Sequence, residues 1–139
     1  MIQVVAGKKG SGKTKRIIDM TNQASKDSKH DVVFIDDDNR YMFDLRHQVR
    51  FINAGEYQMM SDQMFMGFIY GIVAQNFDIG LIVIDAFKKL VKAELSTIAW
   101  LFARLENLSE KHGMDFVLSI SEDPEELPDF IQKHVIAQG

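Results

Sequence analysis

Eight consecutive residues, Gly7-Lys8-Lys9-Gly10-Ser11-Gly12-Lys13-Thr14, hold the densest chemistry in the chain. They form a complete G-x-x-x-x-G-K-[ST] pattern. Its glycines let the backbone turn N–H groups inward around an anion, through conformations that a side chain would forbid. Lys13 would reach the β- and γ-phosphates of a nucleoside triphosphate, and the Thr14 hydroxyl would face a magnesium ion. All eight residues, Lys8, Lys9 and Ser11 included, are therefore expected nucleotide-binding residues. Far downstream, Leu81-Ile82-Val83-Ile84 is an apolar run ending in Asp85. That carboxylate would hold the same ion through water, opposite Thr14. The bland alternative is a Gly- and Lys-rich loop that binds nothing. The strand expected before the loop and the helix expected after it argue for the functional reading.

Catalysis needs groups beyond this frame. Asp36-Asp37-Asp38 closes a second apolar run, where the γ-phosphate of a bound nucleotide is expected. Asp36 and Asp38, with Lys13, are the residues expected to carry hydrolysis. Glu94 is a further candidate acid, and a solvated strand end is the bland reading of the triplet. Ser119 and Ser121 end another apolar run, where a hydroxyl could sense the γ-phosphate or cap a helix. Arg40, Arg46 and Arg50 form the arginine cluster from which a charge-stabilising finger could come, and surface ion pairing is the ordinary alternative.

The elements that must position these groups alternate along the chain. Ile2–Ala6, Asp31–Asp36, Val49–Asn53, Gly80–Asp85 and Met114–Ile120 read as short buried strands. Helices are expected from Lys13 to about Ser25 and from Glu56 to about Asn76. A long one runs from Lys89 to Lys111, ended by Gly113, and a short one lies between Ser121 and Gln132. Met59, Met60, Met64 and Met66 fall in the second helix, as core packing or as a partner surface. Strands alternating with helices demand an α/β, three-layer α/β/α sandwich around a mainly parallel sheet. Ligands of such sheets bind beyond the carboxyl ends of the strands, where residues 7–14 lie.

Composition bounds the rest. A chain of 139 residues is expected to be one domain, 1–139, with a core large enough to need no staples. With no cysteine, disulfides and thiolate metal sites are excluded, and a reducing cytoplasm is the expected compartment. A net charge of −4 gives nucleic-acid binding no support, and no apolar run is long enough to cross a membrane.

Gly7–Thr14, as Walker A, and Leu81–Asp85, as Walker B, make the chain resemble the P-loop NTPase superfamily over nearly its whole length. The resemblance implies the P-loop NTPase fold with ATP and Mg2+ bound. ATP is favoured over GTP because no Asn-Lys-x-Asp run occurs. Strand spacing makes the chain similar to a minimal RecA-like core. Many ATPases of that branch carry a glutamate after Walker B, where this chain has Ala86. Asp36-Asp37-Asp38-Asn39-Arg40-Tyr41 is similar to the Asp-x-Arg-Tyr stretch of bacterial-type thymidine kinases. Lys8, five positions before Lys13, and Asp36 with Asp38 are similar to the signature lysine and Asp-x-Asp of deviant-Walker partition ATPases, which sandwich ATP between two copies.

Three functions follow as expectations, in this order. The first is an ATPase whose base is not a post-Walker-B glutamate or comes from a partner. The second is a nucleotide-dependent switch with little turnover, acting with a homo-oligomeric or protein partner. The third is a small-molecule or nucleoside kinase, ranked last because only Arg104 follows Asp85 as a lid arginine.

Overall fold

In the computed structural model, residues 1–136 are described. Short β-branched and apolar runs become strands where both of their faces can be covered. Among the described residues five do so: β1 (Ile2–Ala6), β2 (Asp31–Asp36), β3 (Arg50–Asn53), β4 (Ile79–Ile84) and β5 (Asp115–Ile120). They pair in one all-parallel sheet of order β1-β5-β4-β2-β3. The helices are α1 (Lys13–Asp27), α2 (Asp62–Ala74), α3 (Phe87–Val91), α4 (Ala99–His112) and α5 (Asp129–Gln132).

Successive strand residues point to opposite faces, and the two cores follow that alternation. Val4, Val33, Ile35, Ile82, Ile84 and Leu118 pack with the buried faces of α2, α3, α4 and α5. Val5, Val32, Phe34, Val83 and Val117 pack against Ile17 and Ile18 of α1. Helices therefore cover both sides of the sheet, as the alternating order requires. No helix among the described residues is long and apolar enough to cross a membrane.

Two expected helices are shorter than their periodicity suggested. Residues 54–57 form a 3-10 turn and Gln58 is left-handed at φ 50°, so α2 starts only after Ser61, whose hydroxyl accepts from the Met64 N–H at 3.0 Å. The methionines divide, with Met59 and Met66 buried and Met60 and Met64 exposed. The expected helix 89–111 is broken into α3, a 3-10 turn over Leu95–Thr97, and α4. Lys92 closes α3 at φ 56°, and the Thr97 hydroxyl donates to the Glu94 carbonyl at 2.7 Å, a local bond that competes with the helical ladder. Leu95, Ile98, Leu101, Phe102, Leu105 and Leu108 are nevertheless all buried. After β5, Asp123 rather than Ser121 is the cap, accepting from the Glu125 N–H at 3.2 Å, and Pro128 precedes α5. The chain then returns to β1, where the Val4 N–H donates to the His134 carbonyl at 2.9 Å.

Candidate functional site

The carboxyl edge of the sheet gathers the predicted residues. β1 ends at Ala6, and the Gly7 N–H donates to the Ile120 carbonyl at 3.3 Å, which fixes the root of the loop to β5. Gly10 and Gly12 are left-handed, at φ 86° and 88°. A Cβ built at either would meet nothing within 4 Å, so the backbone conformation demands glycine there while the space beside the loop stays open. α1 begins directly after Gly12 and its first turn holds Lys13, Lys15 and Arg16 but no acid. Its dipole favours an anion at that end, not these cations.

Lys13 is buried, and its Nζ donates to the Lys8 carbonyl at 3.2 Å. Burial lowers its pKa, an effect opposed by the neighbouring Asp85 carboxylate. The Thr14 hydroxyl donates to Asp85 Oδ2 at 3.4 Å, which joins the two predicted metal-site residues across the sheet edge. β5 lies between β1 and β4, so the loop and Asp85 are two strands apart, roughly 10 Å in sheet spacing. Ser119, buried at the end of β5, and Ser121 just beyond it sit in that interval.

Asp36 is brought beside Asp85 because β2 and β4 pair in register through Ile35 and Ile84. The Asp85 N–H donates to the Ile35 carbonyl at 2.8 Å. Asp36 is buried; its Oδ1 accepts from the Asp37 N–H at 2.7 Å, and its Oδ2 has no hydrogen-bond partner among the described residues. Its pKa is raised to about 8, first by burial, then by the neighbouring Asp37 carboxyl and by the charge of Asp85. Asp38 is half-buried, with Oδ1 accepting from the Arg40 N–H at 2.9 Å and Oδ2 at 3.6 Å from the Arg40 guanidinium. Carboxylate oxygens of Asp36, Asp37 and Asp38 lie within 4.8 Å of one another.

Two cavities flank the loop. The larger, about 870 Å3, is lined by Lys9, Gly10, Gly12, Lys13 and Thr14, and includes Asp36, Asp38, Asp85, Ser119 and Ser121. The smaller, about 370 Å3, shares Gly12, Lys13, Lys15 and Asp19 with it and is also lined by Ser11, Val5 and Arg16. Lys8 is exposed and lines neither, contributing its carbonyl to the loop. Of the three clustered arginines, Arg40 lines the larger cavity. Arg50 pairs with Asp31 at 3.2 Å, at the opposite end of β2, and the Arg46 Nε is buried without a partner among the described residues. Glu94 lies at the 3-10 turn after α3, outside the cavity lining.

Sequence reasoning missed Lys88 and Lys89, which line the larger cavity after Asp85. They occupy the first turn of α3, where no acid occurs. In a helix of five residues the same two lysines also form the last turn, so no dipole cost marks them and the sequence carried no signal for them. Tyr41 and Asn22 were also missed, because they reach the cavity only through the packing of residues 41–46 on α1. The Thr14 hydroxyl and the Asp85 carboxylate, joined at 3.4 Å, are hard oxygen donors of the kind that Mg2+ takes. No family model matches the chain, and no curated protein matches it.

Proposed function

We propose that this protein is a P-loop nucleotide-binding protein of minimal RecA-like design that binds Mg-ATP and hydrolyses it. The observation that carries the reading is the loop itself: Gly10 and Gly12 hold left-handed backbone beside open space, with Lys13 and the Thr14–Asp85 pair at its mouth. Backbone N–H groups, the α1 N-terminus and Lys13 would neutralise the phosphates. Thr14 and Asp85 would hold Mg2+, which when bound supplies charge neutralisation at the β- and γ-oxygens. Asp36 and Asp38 face the same cavity and would orient the attacking water.

A second reading, a switch with little turnover, is favoured by Ala86. This residue is left-handed at φ 56° and turns its N–H back onto Asp85 Oδ1 at 3.0 Å, so no acid stands at the position after Asp85. Equilibrium binding of Mg-ATP and phosphate release, compared between wild type and Lys13→Ala, test both. A hydrogen bond to a charged group contributes about 1.5–3 kcal/mol, so the variant is expected to bind roughly 10- to 150-fold more weakly. Unchanged affinity would sink the nucleotide reading. Binding without phosphate release would select the switch.

A further inference from the structure

The larger cavity extends well beyond what a terminal phosphate, its ion and one attacking water require, since a water takes about 30 Å3. Thr14 starts one end of it. Ile18, Asp19 and Asn22 continue its wall down α1, and Asn22 stands about 12 Å along the helix from Thr14. Tyr41 and Asp44 face them from the segment after β2. That segment is tied in place: the Asn22 amide donates to the Asp44 carbonyl at 3.0 Å, and the Arg46 N–H donates to the Asn22 side chain at 2.9 Å. The cleft is therefore a built groove with an apolar floor of Ile18 and Tyr41, which belong to the α1-side core. The buried, unpartnered Asp36 Oδ2 lies at its inner end.

Its charges indicate what fits. Lys15 is paired with Asp19 at 3.3 Å, Arg40 with Asp38 at 3.6 Å and Lys89 with Asp37 at 3.9 Å. Asp44 has no ion-pair partner among the described residues. Those pairs leave Asp44 as the unpaired charge between α1 and residues 37–44, which disfavours a second phosphate ester there and favours a neutral or ammonium-bearing molecule.

We propose that the cleft between α1 and residues 37–44 is an acceptor subsite for a small uncharged or cationic hydroxyl compound, which receives the terminal phosphoryl group. This rests on the Mg-ATP reading and changes the acceptor from water to an alcohol. The acceptor oxygen bonds to the γ-phosphorus as the bond from that phosphorus to the ADP oxygen breaks. ADP leaves with that electron pair, and the hydroxyl proton passes to the Asp38 carboxylate. The sequence alone ranked such transfer last for want of a downstream lid; the groove is formed instead by the segment after β2.

The test first measures Mg-ATP binding to the full chain, then follows products by phosphorus NMR with ethanolamine or glycerol present at molar concentration. A phosphate monoester of ethanolamine is expected. Its ratio to inorganic phosphate should fall at least about tenfold in Asp44→Arg, which places a cation in the groove on an exposed residue. Asp44→Asn should shift the ratio the same way by less. Inorganic phosphate alone, or bound ATP left intact with both probes, overturns the acceptor subsite and leaves the nucleotide reading standing. Failure to bind ATP overturns the nucleotide reading itself.

Discussion

Asp36 is a carboxylate that the fold buries beside another carboxylate and leaves with one oxygen unpartnered among the described residues. Its folded-state pKa of about 8 stands above the ordinary 3.8, so between those values the folded protein binds more protons than the unfolded chain. The sign follows: stability supplied by the protonated carboxyl is fully present below about pH 4 and is lost as pH rises through about 8. Asp36→Asn removes the ionisable group and keeps an acceptor for the Asp37 N–H. The variant should therefore exceed wild type in unfolding free energy above pH 8, with the gap closing toward pH 4. Urea melts across that pH range check it. A gap of the same size at every pH would show that Asp36 acts through packing instead.

At the scale of elements, α3 shows how the site depends on distant packing. Five residues cannot hold a helix by themselves. Phe87 anchors it, meeting Phe65 of α2 edge-to-face at 5.7 Å and Phe102 of α4 at 5.9 Å. Phe87→Ala is expected to cost about 3–5 kcal/mol and, by loosening α3 directly after Asp85, to weaken Mg-ATP binding. A denaturant melt read beside ATP titration checks both halves; lost stability with unchanged affinity would detach α3 from the site. The same region shows what the residues could reveal beforehand. The strands were legible because buried parallel strands read as continuous apolar runs, and the left-handed turns at Gly10 and Gly12 were legible because their demands are local. Helical spacing at Leu95 and Ile98 reported burial correctly, yet burial does not distinguish a continuous helix from one broken at Lys92. Asp36 beside Asp85, and Asn22 beside Asp44, depend on which strands and loops pair, which a single sequence does not encode locally.

Across the whole molecule, buried charged groups collect at one edge of the sheet. Lys13, Asp36 and Asp85 are buried there, beside a loop held open by left-handed glycines. One face of the sheet is covered by four helices, whereas α1 is the helix on the other face and also forms the site's wall. A ligand that neutralises these charges and ties the loop to α1 and β4 should therefore stabilise the entire fold, not only the edge. Binding to the native state alone adds RT ln(1 + [L]/Kd), about 2.7 kcal/mol at a hundredfold excess over Kd. For a chain of this size, at roughly 3 °C per kcal/mol, that corresponds to a rise in Tm of about 8 °C. Calorimetry with Mg-ATP, Mg2+ alone and ATP with chelator separates the contributions. The full shift should require both components and should vanish in Lys13→Ala. An equal shift in that variant would place the ligand somewhere other than the Gly7–Thr14 loop.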